Sequence, residues 1–180
     1  MSAPTRQPVD LSALQLCPAA DGDLDFLRVL FASTRIDELA LSGWSDEQKA
    51  QFLLQQFEAQ HAYYQQHYHD AEFSLIVYQE QPIGRLYVFR GPSTINLIDI
   101  SLLPDWRQCG IGSHYLRALT AEADQAGKAI RLFVEQTNPA RQLYERFGFS
   151  VTGSNNLYLQ MHRTTTGMPQ SQARAMETTA

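Results

Sequence analysis

Cysteine is nearly absent from this chain: Cys17 and Cys109 are the two it has. They form neither a metal-type pair nor a disulfide framework, so two free thiols in a reducing, cytoplasmic setting are expected. Long hydrophobic runs are missing as well. No uninterrupted apolar stretch approaches the roughly 18 residues of a membrane span, and Met1 to Asp10 is polar, with no signal-peptide core. Dense basic blocks are also absent. With 14 Lys and Arg against 19 Asp and Glu, the net charge is −5, which gives nucleic acid or an anionic membrane little attraction as a partner. A metal has no evident ligand set either. His61, His67 and His69 cluster with Tyr63, Tyr64 and Tyr68, but no cysteine or carboxylate joins them at metal spacing. They read as a wet, aromatic helix face rather than a zinc site.

What is present suits one ordinary domain: 180 residues, 44% of them apolar, enough to bury a proper core. A single folded domain is expected over residues 11–163, after a flexible stretch of 1–10 and before a Thr/Ser/Gln-rich tail, 164–180, expected to be disordered. Alternation from Ala13 to Pro18 predicts a first strand. Asp21 or Asp23 can cap a helix whose apolar stripe is Leu24, Leu27, Leu30 and Phe31. Ser45 and Gln48 have the capping-box spacing for a second helix, carrying Phe52, Leu53 and Phe57. Phe73 to Tyr78 and Ile83 to Arg90 are β-rich runs joined as a hairpin through Gln79 to Pro82. Ile95 to Leu103 is nearly continuously apolar, as expected of a strand covered on both faces. A helix from Gly110 to Ala126 ends at Gly127. Ala129 to Val134 is a further strand. A short helix from Pro139 to Phe147, capped by Asn138 and stopped by Gly148, follows. Strands at Phe149 to Thr152 and Asn156 to Met161 close the chain. The fold class is α/β with a mixed sheet, in the order β-α-α-β-β-β-α-β-α-β-β.

The stretch Leu102-Leu103-Pro104-Asp105-Trp106-Arg107-Gln108-Cys109-Gly110-Ile111-Gly112-Ser113 ends a buried strand and opens a helix through two glycines one residue apart. Glycine lets backbone approach a ligand closely, the first helical N–H groups are unpaired, and the helix dipole attracts an anion. Arg107 adds a full positive charge. Taken alone, the loop is either a pyrophosphate cradle of unspecified ligand or a tight turn without one. The dinucleotide fingerprint needs three glycines at wider spacing, and the ATP loop needs a Gly-Lys-Ser/Thr end. Neither is present.

A second segment, Asn138-Pro139-Ala140-Arg141-Gln142-Leu143-Tyr144-Glu145-Arg146-Phe147-Gly148-Phe149, sets Ala140, Leu143, Tyr144 and Phe147 on one helical face. Tyr144 is therefore carried on an inward stripe, as a core aromatic or as a hydroxyl with work to do. Together the two segments resemble the GNAT superfamily of N-acetyltransferases. Its Arg/Gln-x-x-Gly-x-Gly/Ala signature is matched by Arg107, Gly110 and Gly112. Its later Asn…Ala…Leu-Tyr…Gly-Phe stretch is matched from Asn138 to Phe149, with Ala140 displaced by one residue.

The resemblance implies a GNAT-like fold with a splayed central sheet, and acetyl-CoA as acyl donor without a metal. It places pantetheine along Leu102 and Leu103, and the pyrophosphate on main-chain N–H groups of Gln108, Cys109, Gly110, Ile111, Gly112 and Ser113, beside Arg107. Asn138 matches a position that bonds pantetheine, and Tyr144 the usual general acid. The implied reaction is direct attack of a primary amine on the thioester. Three bases stay open: Asp99 on the central strand, Glu72, or a water chain ending at a histidine. In this family the acceptor is selected by the first two helices, the loop between them and the final hairpin, which here means Arg35, Glu38, Trp44, the Tyr63 to Tyr68 cluster and Asn155 to Tyr158. Arg35 and Glu38 could form an ordinary helix ion pair, or read a zwitterion. The expected acceptor is a small molecule or amino-acid derivative. Protein N-terminal or lysine acetylation, and a non-catalytic CoA-binding sensor or scaffold, are the alternatives. A homodimer is common in such proteins.

Overall fold

Asp10 opens the first turn with a side-chain cap: its carboxylate accepts from the Ser12 N–H at 3.0 Å, closing a 3-10 turn over Leu11–Ala13. This computed structural model describes residues 8–165. The termini expected to be flexible lie outside the described residues apart from 8–10 and 164–165. Strand β1, Leu14–Pro18, follows the turn. A 3-10 turn over Asp21–Asp23 then leads into helix α1, Leu24–Leu39. Its predicted stripe turns inward, with Leu27, Leu30 and Phe31 fully buried.

Helix α2, Asp46–His67, has the capping box that its sequence predicts. Gln48 N–H donates to Ser45 Oγ at 3.2 Å, and Ser45 N–H donates to Gln48 Oε1 at 2.9 Å. That cap stabilises the helix start by about 1 kcal/mol. α2 buries Leu53 and Phe57, and Phe57 meets Phe31 edge-on with ring centroids 5.9 Å apart.

Strands β2, Glu72–Tyr78, and β3, Gln81–Arg90, are joined more tightly than expected. Gln79 and Glu80 both take left-handed backbone, φ 48° and 65°. This is the twist of a two-residue type I′ hairpin, so β3 begins at Gln81 rather than Ile83. Strand β4 is Thr94–Leu102, helix α3 Ile111–Ala126 and strand β5 Ala129–Glu135. α3 stops in a Schellman motif, as Gly127 (φ 64°) suggests: Lys128 N–H bonds Ala123 C=O at 2.9 Å and Gly127 N–H bonds Asp124 C=O at 3.4 Å. Helix α4, Ala140–Arg146, ends the same way at Gly148 (φ 85°), with Phe149 N–H on Tyr144 C=O at 3.2 Å. Strands β6, Ser150–Ser154, and β7, Tyr158–Arg163, complete the order.

The seven strands form one mixed sheet in the order β1-β2-β3-β4-β5-β7-β6. The β4–β5 ladder is parallel and holds Thr94, Ile95, Asn96 and Leu97 against Ala129, Ile130, Arg131 and Leu132. It stops there, although β4 continues to Leu102 and β5 to Glu135. The chain divides into two compact units, one running to Tyr87 with Asp99–Gly112 added, the other made of Val88–Ile98 and the chain from Ser113. The first buries Leu27, Leu30, Phe57, Ile76 and Ile83, the second Leu116, Ile130, Leu132, Val134 and Met161. Among the described residues no helix is long and apolar enough to cross a membrane.

Candidate active site

In the first unit, the end of β4 leads through a 3-10 turn, Pro104–Trp106, to the glycine loop. Gln108 and Gly110 both stand in left-handed backbone, φ 62° and 82°. A left-handed glutamine is uncommon and costs of order 1–2 kcal/mol, so the surrounding structure holds it there. Alternating backbone handedness turns successive N–H groups toward one side, the geometry of an anion nest. Among the described residues no acceptor stands opposite the N–H of Gln108 or Gly110, and both residues are exposed. Gly110 also occupies the position before α3, where it offers no side-chain oxygen to the first helical N–H groups. Buried Ile111 anchors the helix start. The exposed N–H groups of Gln108 and Gly110 are donors of the kind an anion can take.

Arg107 has a different place from the one its charge suggests. Its Nε donates to Leu102 C=O at 2.9 Å, and its Nη2 to Ser33 C=O at 3.0 Å and Ser33 Oγ at 3.2 Å. The guanidinium thus ties the loop to the end of β4 and to α1. Cys109 Sγ lies 3.4 Å from the Arg107 carbonyl, folded back on its own loop. Leu103 N–H is bonded to Ile83 C=O at 2.9 Å, which fixes the exit of β4 on β3.

Asp99 does not stand open. One carboxylate oxygen accepts from Ser101 Oγ and the other from Arg85, which is 3% exposed. Arg85 Nη2 also donates to Gln60 Oε1 of α2 at 2.7 Å, and the guanidinium lies 5.0 Å from the Tyr87 ring centroid. Burial works against the Arg85 charge, but Asp99 and the neighbouring tyrosines outweigh it and hold its pKa above the ordinary arginine value. Burial likewise pushes the Tyr87 phenol up. Arg85, Gln60 and Ser101 were not singled out in the sequence. The available signal was one arginine in the run Ile83 to Val88, facing one aspartate in the next apolar run.

Elsewhere in this unit, Arg35 and Glu38 pair with each other on α1, Nη1 to Oε2 at 3.3 Å, the ordinary helix arrangement. Arg35 also sits 5.9 Å over the Phe31 ring. Trp44, 41% exposed between α1 and α2, meets Phe52 edge-on at 5.2 Å. On α2, Tyr63 stacks on His67 at 4.1 Å and contacts Tyr64 and Tyr68 edge-on. No group of three or more metal-ligating side chains occurs among the described residues.

In the second unit, Asn138 stands two residues before α4 and Tyr144 lies on it. Asn138 Oδ1 accepts from Ala140 N–H at 2.9 Å, which caps the helix and leaves the Nδ2 donor available. Tyr144 is 7% exposed and packs edge-on to Phe149, ring centroids 5.9 Å apart. Tyr158 opens β7, where its N–H donates to Asn155 Oδ1 at 2.7 Å and its C=O accepts from Asn155 N–H at 2.9 Å.

The mixed α/β fold, with a seven-stranded sheet, is that of an acyl-CoA-dependent acetyltransferase. Residues 36–149 match the model of the acetyltransferase (GNAT) family, and the chain belongs to that family. Its fold is shared with solved acetyltransferases at low sequence identity. The PaiA N-acetyltransferase of Thermoplasma acidophilum, in complex with coenzyme A, aligns with a TM-score of 0.64 at 17% identity, over 84% of this chain and 98% of that one. A structure from Corynebacterium glutamicum described as histone acetyltransferase HPA2 and related acetyltransferase aligns at 0.60 and 20% identity, over 88% and 99%. An acetyltransferase from Thermus thermophilus aligns at 0.59 and 19%, over 84% and 97%. No curated protein sequence matches the chain.

Proposed function

We propose that the chain transfers an acetyl group from acetyl-CoA to the primary amine of a small molecule or amino-acid derivative, by direct attack. The observation that carries this reading is the loop with left-handed Gln108 and Gly110 and unopposed N–H groups, at the head of α3. Acetyl-CoA, when bound, supplies the activated thioester carbonyl. Main-chain N–H groups from Gln108 to Ser113 hold its pyrophosphate, and Leu102 presents backbone to its amide arm beside Leu103, whose own N–H is held by Ile83 C=O. Arg107 acts by keeping that loop on the end of β4 through Leu102 and Ser33. Asn138 contributes its Nδ2 donor.

The amine attacks as the neutral base, although an ordinary lysine-type amine has a pKa near 10.4. Asp99, with both oxygens engaged by Arg85 and Ser101, is given a holding role, and the amine proton leaves through water. Tyr144 passes its hydroxyl proton to the departing thiolate, a task suited to a phenol, whose ordinary pKa is near 10. Arg35, Glu38, Trp44 and Tyr158 are the acceptor-reading residues. The aromatic character of this set favours a compact amine over a long flexible tail.

Incubating the protein with acetyl-CoA and a panel of small amines, amino acids and peptides tests the reading by mass spectrometry. A gain of one acetyl group on a small amine supports it. Acetylation confined to peptide N-termini or lysines moves the acceptor to protein. Tight acetyl-CoA binding with no acetylated product across the panel would point to a sensor or scaffold.

A further inference from the structure

The polar cluster between β3 and α2 takes no part in the chemistry just described. Arg85 is buried, and its Nε meets no acceptor among the described residues. Leaving such a donor unsatisfied costs about 1–3 kcal/mol, and apolar residues of equal volume often hold a core as well as a buried ion pair does. The cluster is thus a poor device for stability alone. What it does hold is a stretch of backbone. The β4–β5 ladder ends at Leu97, and the strand then runs on through Leu102 without that neighbour. Over this stretch Asp99 is tied to Arg85, and Ser101 Oγ to Asp99. Leu102 C=O is tied to Arg107, and Leu103 N–H to Ile83. Gly84, beside Arg85, lets β4 approach so closely that a Cβ there would collide with the Ser101 carbonyl.

We propose that Arg85 is a positioning residue for the acyl donor: through Asp99 and Ser101 it keeps the last residues of β4 extended before the donor arrives. Binding then orders little backbone, and less affinity is lost to entropy. This inference rests on the acetyl-CoA reading above, and its test separates the two.

Backbone hydrogen exchange of the ligand-free protein and acetyl-CoA titration are compared for wild type, Arg85→Met and Arg85→Lys. In Arg85→Met, exchange over residues 98–103 accelerates by about tenfold or more while residues 129–135 keep wild-type protection, and the acetyl-CoA Kd rises about tenfold. Arg85→Lys retains a charge beside Asp99 and recovers most of both effects. Should Arg85→Met fail to fold, Ser101→Ala removes only the hydroxyl on Asp99 and shifts both readouts the same way by a smaller factor. Exchange that is unchanged over 98–103, that rises evenly across the sheet, or that rises with no change in Kd overturns the proposal. A wild-type protein that binds no acetyl-CoA overturns the functional reading instead, and the exchange data still show whether Arg85 holds the strand.

Discussion

Two strand-to-helix connections in this protein solve the same problem in opposite ways. From β5 to α4, Asn138 supplies an oxygen to Ala140 N–H and closes the helix start with the chain's own side chain. From β4 to α3, the position before the helix is Gly110, which has no oxygen to offer, and Gln108 and Gly110 adopt left-handed backbone with their N–H groups unopposed. The first connection is complete as folded. The second accepts strain and leaves donors exposed, which the proposed function assigns to an external anion.

Removing chemistry from the self-capped side, without touching its cap, has the largest expected effect. Tyr144→Phe lowers kcat by roughly 10²- to 10⁴-fold, the range for loss of a general acid, with acetyl-CoA affinity nearly unchanged; steady-state kinetics beside a binding titration measure both. Altering the Gly110 side comes next. Gly110→Ala cannot hold φ 82° without strain, so the loop relaxes and acetyl-CoA binding weakens by about tenfold, with little change in urea midpoint. Asn138→Ala costs about 1 kcal/mol of stability in urea unfolding, which Asn138→Asp largely restores, while both variants lose the Nδ2 donor and bind acetyl-CoA more weakly. The smallest effect belongs to α2. Glu47 in its first turn has a lowered pKa, caused first by its own backbone N–H and then by Ser45. Its folded pKa lies below the unfolded value of 4.5, so its contribution is complete above that value and fades as pH falls through the folded one. Glu47→Gln is therefore slightly less stable at neutral pH, and the gap closes on acidification.

Much of this was legible along the chain because the signals are local. The α2 capping box depends on residues three apart, and both Schellman stops depend on a glycine just past a helix. The inward placing of Tyr144 follows from the 3.6-residue period that it shares with Ala140, Leu143 and Phe147. The Gln79–Glu80 turn was legible only as a hairpin, since neither residue advertises left-handed backbone as glycine or asparagine would. Arg107 showed its charge but not its partners along the chain. Its donors meet Leu102 and Ser33, the latter on a helix far away in sequence. The Arg85–Asp99 pair left only a hint, one charge in each of two β runs, because periodicity cannot tell which residues of two runs stand opposite one another.

The sequence by itself determined the element order, the helix limits and the glycine loop, since caps, periods and left-handed glycines act within a few residues of backbone. Only the tertiary structure decided where the ladder beside β4 ends, which side chains pin the strand beyond it, and that Asp99 lies paired in a buried cluster. Those outcomes depend on groups brought together from separate strands and helices, where burial and partnership determine whether a charge is free to act.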